Sequence, residues 1–275
     1  MDKYTLPAIT PVKPGRFFLV TFFLSWAIWI PLTLSHFGIA FHIPESTSAM
    51  VRLLGVLMPA TSAIFLTALS GKKGSLRQLF RRLTTWRVGW KWWAAASLVF
   101  PAILVITDLI HNFFFIDKII YIPNEASALV VNIIFLFIAV LGEEIGWHGV
   151  ALPALQQKYS ARVSSLILGL FWGLWHIPFW LLLDTFDQFG FMYLMLNFIF
   201  VLPLTLYSTW FFNHSRYSIL LPIAFHLTFN VVNTALLPVT LSVRAFSILI
   251  TLSWIIMVLV LPRLEPDNEM NLPGG

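Results

Sequence analysis

Residues 137–155 read FIAVLGEEIGWHGVALPAL and set two adjacent glutamates, Glu143 and Glu144, inside an apolar run. The solvent around this stretch decides how the chain is read. In lipid, a charged side chain at the bilayer centre costs about 2.5–3.5 kcal/mol on insertion scales, so a retained acid there calls for a use.

Composition names the solvent. Of 275 residues, 59% are hydrophobic and 11% are Asp, Glu, Lys or Arg, with 26 Phe and 12 Trp. Mean hydropathy is +0.84. Soluble domains carry about 25% charged residues, and a single core of this length has no room for so much apolar surface. The chain reads as an all-α polytopic membrane protein, one domain over 1–275, with an internal polar cavity. Cysteine is absent, which removes disulfides, a thiol nucleophile and thiolate metal sites. The basic residues border apolar spans and form no soluble face, so nucleic acid is not an expected partner; the lipid bilayer is.

A helix needs about 20 apolar residues to cross the hydrocarbon core. About eight segments qualify: 17–39, 50–70, 91–112, 126–150, 163–183, 190–212, 217–238 and 242–262. The first follows basic residues but stays apolar too long for a signal peptide and lacks a convincing cleavage site, so it reads as a retained span. Of the 17 Lys and Arg, all but Arg52, Lys118 and Arg244 fall on one side of this topology. The positive-inside rule then puts both termini in the cytoplasm. In the loop 71–93, Leu76, Leu79, Phe80 and Leu83 recur at helical spacing, with Arg77, Arg81 and Arg82 on another face. This predicts a short interfacial helix on anionic headgroups, a topology anchor more simply than a substrate-docking surface. The tail from 264 to 275 reads as disordered.

Polar residues inside the spans supply the chemistry. Glu143 and Glu144 point about 100° apart on a helix, so one can face a cavity while the other pairs with a neighbour. His148, four residues after Glu144, fits a local hydrogen bond that keeps Glu144 paired. LGLFWGLWHIPFW, 168–180, buries His176, with Phe171, Trp172 and Trp175 read as packing. LPIAFHLTFNVVN, 221–233, places His226, Asn230 and Asn233 at i, i+4 and i+7, one polar stripe on a helix. Each group alone could serve interhelical packing. Together they offer a carboxylate with an imidazole to deprotonate water, and a second imidazole with an amide to hold an oxyanion. Glu143, His176 and His226 could instead ligate a metal, zinc being the ion that suits such a set. Either arrangement suits amide hydrolysis; a serine or cysteine nucleophile has no supporting triad.

At these residues the chain resembles the CPBP family of CAAX-type and bacteriocin-processing membrane proteases, also called Abi. The family's Glu-Glu-x-x-x-Arg is met by EEIGWH, with His148 in the arginine position. Its Phe-x-x-x-His is approached by FWGLWH, where the spacing of four falls on Trp172 to His176 and Phe171 lies one place earlier. Its His-x-x-x-Asn is met by HLTFN, His226 to Asn230. The matched region, about 127–236, would be the catalytic core of an eight-helix bundle. The resemblance implies an intramembrane endopeptidase acting on a peptide or membrane-anchored, CAAX-type substrate. It makes Glu143 the water-activating base, His176 its partner, His226 and Asn230 the oxyanion site, and Glu144 a support. Family members have been described both as metalloproteases and as metal-free glutamate proteases. Because an arginine stays charged and a histidine need not, His148 leaves open a non-catalytic immunity or binding protein of the same fold. An ion-coupled carrier is a further alternative, since Glu and His also build relays, although no internal repeat supports it.

Overall fold

The computed structural model describes residues 10–39, 42–115, 126–236 and 242–265, and among these every regular element is a helix. The elements are α1 (Pro14–His36), α2 (Glu45–Val56), α3 (Met58–Leu69), α4 (Ser75–Arg81), α5 (Trp90–Phe114) and α6 (Ala126–Gly146). A π-helical turn (Trp147–Ala151) then leads into α7 (Leu152–Gln156), α8 (Ala161–Trp180), α9 (Asp184–His214) and α10 (Leu220–Asn230). α10 runs into a second π segment (Val231–Leu236), followed by α11 (Val243–Val260).

Among the described residues, seven helical stretches are long and apolar enough to cross a bilayer. They match seven of the expected spans, with α2 and α3 forming one stretch from Thr47 to Leu69 and the α6–α7 region another from Ala128 to Gln156. The expected span 217–238 is shorter, an apolar helix over Leu220–Asn233, and positions 237 and 238 lie outside the described residues. The protein is an all-α polytopic membrane protein.

The opening stretch changes its surroundings along its length. Val130, Val131, Ile134, Phe135, Phe137 and Ile138 are exposed, as suits side chains that face acyl tails. From Gly142 to Leu155 every residue is buried. The acid pair therefore sits in protein, away from lipid.

Glycines make that burial possible. Gly142 and Gly146, one turn apart, face the start of α3; a Cβ on Gly146 would lie 2.7 Å from the Pro59 carbonyl carbon, and one on Gly142 would lie 2.6 Å from Leu57 Cδ2. Gly169 and Gly173 do the same for α8 against Leu202, Thr205 and Phe198 of α9. These are small-x-x-x-small contacts, by which membrane helices bring backbones together.

The bundle also answers a problem its prolines create. Proline has no N–H, so in a helix the carbonyl four residues earlier loses its donor, and no lipid can replace it. Side chains do so at several of these prolines. Pro153 deprives Gly149, whose carbonyl accepts from Arg82 Nη1 at 2.6 Å. Pro203 deprives Ile199, which accepts from Trp254 Nε1 at 3.3 Å. Pro59 deprives Gly55, which accepts from Ser25 Oγ at 2.9 Å.

The Pro153 case shapes the site. Just ahead of it the helix widens to i→i+5 bonding, the Leu152 N–H reaching the Trp147 carbonyl. Gly149 lets Leu79 of α4 come close, since a Cβ there would lie 2.9 Å from Leu79 Cδ1. Arg82 was expected to face headgroups with Arg77 and Arg81; those two are outward, whereas its guanidinium turns in and lies 5.8 Å above the Phe212 ring. Burial pushes it down to about 10, still charged at neutral pH. The orphaned carbonyl explains the difference, because a fixed acceptor inside the fold holds a donor that headgroups would otherwise attract.

Leu264 and Glu265, the first residues of the expected disordered tail, are held in place. Leu264 is fully buried and its carbonyl accepts from Asn213 Nδ2 at 3.0 Å. Glu265 accepts from the Ala161 N–H at 3.0 Å. The remainder of that expectation, 266–275, lies outside the described residues.

Gly146→Ala forces α3 and α6 apart at a contact with backbone, where nothing flexible can yield. The expected result is a loss of about 1–3 kcal/mol in thermal unfolding of the purified protein. Gly15→Ala, whose Cβ would meet nothing within 4 Å, is expected to unfold like the parent. Equal melting of both variants would refute the close-packing argument.

Candidate active site

Three elements meet at the acid pair: the end of α6 with its π turn, the middle of α8, and α10. Glu143 and Glu144 are 5% and 1% exposed, and successive positions on α6 send them to different partners.

Glu144 lies between two imidazoles. His148 Nδ1 hydrogen-bonds its Oε2, and His226 Nδ1 lies 2.8 Å from its Oε1. A carboxylate only accepts, so each imidazole presents Nδ1–H to it. His226, from α10, is thereby tied to α6 across 82 residues of sequence.

Glu143 faces α8. Its Oε2 accepts from Trp172 Nε1 at 2.7 Å and lies 3.9 Å from His176 Nε2. The second distance exceeds a direct hydrogen bond and suits one bridging water. His176 Nδ1 contacts the Trp172 carbonyl at 3.0 Å. A carbonyl also only accepts, so the neutral ring carries its proton on Nδ1 and turns the Nε2 lone pair toward Glu143.

The Trp172 indole separates and touches both imidazoles, edge-on to His176 at 5.5 Å and to His226 at 5.3 Å between ring centroids. Trp180 stacks on the far face of His176 at 5.2 Å and 11°. These rings pack around His176 and His226 beside the gap between Glu143 and His176.

Asn230 ends α10, half-buried. The stripe expected to continue to Asn233 meets a change of pitch, because residues 231–236 are π-helical. A π turn takes more residues per revolution, so the i+7 position rotates off the face shared by His226 and Asn230.

The metal reading was tested against the donor positions. Among the described residues no group of three His, Cys, Asp or Glu side chains is gathered in a way that could hold an ion. Glu143 lies beside His176 Nε2, and His226 turns Nδ1 to Glu144 and keeps Nε2 for another partner.

Sequence reasoning treated Trp172 as packing, yet it is the direct hydrogen-bond partner of Glu143. The available signal was its spacing of four from His176, the place where the resembled motif has a phenylalanine that lacks an N–H.

Residues 125–232, which span α6 to α10, match the Rce1-like family of type II CAAX prenyl endopeptidases. The chain is also 27% identical over 242 residues to a CAAX prenyl protease 2 of Methanococcus maripaludis, covering 83% of this chain and 86% of the relative. Over residues 125–232 the chain is similar to the CAAX-protease family. All the side chains described above as contacts of Glu143 and Glu144 lie within the matched segment.

The two acids are expected to differ in what their removal does to folding. Glu144→Ala strands two buried imidazoles and should cost about 3–5 kcal/mol, the range for breaking a buried charged pair. Glu143→Gln keeps an oxygen acceptor for Trp172 and should unfold within about 1 kcal/mol of the parent. Thermal or denaturant unfolding in one detergent checks both, and the reverse order would contradict the division of partners.

Proposed function

We propose that the protein is an intramembrane endopeptidase that hydrolyses a peptide bond in a prenylated, CAAX-type peptide or membrane-anchored protein, using water activated by Glu143 and His176. The observation that carries this reading is the 3.9 Å gap between Glu143 Oε2 and His176 Nε2, walled by aromatic rings and set inside the segment that matches type II CAAX prenyl endopeptidases. The substrate class follows from that family and from the name of the archaeal relative.

A water in that gap donates one hydrogen to Glu143 and one to the His176 Nε2 lone pair, which aims an oxygen lone pair at a substrate carbonyl. As the oxygen adds to the carbonyl carbon, Glu143 takes the proton. The C–N bond then breaks, and the same proton passes to the departing amine. His226 and Asn230 face the developing oxyanion and donate to it. For His226 this requires a proton on both ring nitrogens, and the Glu144 carboxylate at Nδ1 supplies the counter-charge. Glu144 and His148 thus act behind the reacting groups. No step passes through a metal.

The Lys and Arg bias supports a cytoplasmic side for both termini and the α4 loop, and the resemblance supports the plasma membrane as the location. The catalytic unit is the region 127–236 within a single membrane domain.

Cleavage of a fluorogenic peptide ending in a prenylated CAAX sequence, by purified protein in proteoliposomes, tests this reading. Glu143→Gln and His176→Ala are each expected to lower kcat by about 10²–10⁴, the range for a lost general base or its partner. Full cleavage by both variants would refute the assignment. Treatment with a strong chelator is expected to leave the rate within twofold; a loss restored by added zinc would overturn the metal-free step.

A further inference from the structure

Trp172 occupies the one position from which a single residue can hold both reacting groups. Its indole N–H fixes the Glu143 carboxylate at 2.7 Å, and its backbone carbonyl fixes the His176 ring at 3.0 Å. The oxygen it holds, Oε2, is the one that faces His176 Nε2. The indole is 5% exposed, so no water competes strongly for that N–H. Its helix has little freedom to move away: a Cβ on the adjacent Gly173 would lie 2.9 Å from the Phe198 ring and 3.4 Å from Val201 Cγ1.

A glutamate side chain has three torsions and, when ionised, two equivalent oxygens. Without a fixed donor the carboxylate can rotate and present either oxygen, or neither, to the gap. Packing alone does not choose among these states. A hydrogen bond to one named oxygen does, and a bond to a charged acceptor is worth about twice a neutral one.

We propose that Trp172 is a positioning residue whose indole N–H orients Glu143 toward the gap opposite His176. It touches the base and both imidazoles and has no role in holding substrate. The inference rests on Glu143 being the water-activating base, and it adds a requirement that phenylalanine, with the same aromatic character, does not meet at position 172. The hydrogen bond itself is independent of that reading.

The test compares Trp172→Phe with Trp29→Phe in the full-length protein. Trp29 is a second fully buried indole, but its N–H serves the Arg52 carbonyl at 3.1 Å, away from the acid pair. With the prenylated fluorogenic peptide, Trp172→Phe is expected to lower kcat about ten- to a hundredfold, as for loss of a hydrogen bond to a charged group, with KM within twofold. Trp29→Phe is expected to melt at a lower temperature with unchanged kcat. Wild-type kcat in Trp172→Phe, or a fall in both variants that follows their melting temperatures, overturns the proposal.

If Trp172→Phe does not fold, β-(3-benzothienyl)alanine at position 172 keeps the ring's size and replaces only the N–H. A second arm needs no turnover. In infrared spectra of protein labelled with 13C-glutamate, the carboxyl band missing from Glu143→Gln is expected to shift in the position-172 variant. An unshifted band overturns the proposal even if the peptide is never cleaved, whereas a shifted band without cleavage by the parent protein would count against the protease reading alone.

Discussion

The hydrogen bond from Arg82 to the Gly149 carbonyl holds the structure to its purpose. In water, a carbonyl left without a donor by a proline is solvated at small cost. Inside a membrane bundle it is not, and each such group must find a partner from the chain itself. At Gly149 that partner is a charged guanidinium carried in from the loop between α3 and α5. The bond seats α4 on the π turn, and the π turn sets the direction in which the chain leaves the acid pair. A proline, a glycine and an arginine distant in sequence thus form one unit, and none of the three has a chemical role of its own.

Within that frame the two glutamates have unlike environments. Glu144 accepts from two imidazoles and joins α10 to α6. Glu143 accepts from the Trp172 indole and has an imidazole set just out of reach. Adjacent positions on a helix can be treated so differently because their side chains diverge by about 100°. One acid is used up by the architecture, and under the proposed function the other keeps lone pairs available for chemistry. The preference for assigning Glu143 as the base rests on this asymmetry as much as on any motif.

Much of the architecture was legible before the coordinates. Long apolar runs give spans, because the thickness of a bilayer imposes a length that no soluble fold demands. The acids and histidines stood out for the same reason: each is costly in lipid, so each needs an explanation. Less legible was everything that depends on what lies across the bundle. The seventh apolar segment, expected over 217–238, begins at Leu220 and passes into π pitch after Asn230, a change that hydropathy does not register. Arg82 was grouped with Arg77 and Arg81 because helical spacing alone gives no sign of a waiting carbonyl. Trp172 was counted as packing, since an aromatic at helical spacing is apolar by composition and reveals its N–H only when an acceptor is placed beside it. Asn230 and Asn233, alike in sequence, separate only at the level of helical pitch.

The Glu265 carboxylate caps the first turn of α8, the helix that bears Trp172 and His176. That cap comes from beyond α11. The Ser160 hydroxyl takes the Val163 N–H of the same turn, so local and distant acceptors share the opening of α8. A helix of the site thus draws part of its N-terminal cap from a residue 104 positions later in the chain, which ties its seating to the far side of α11.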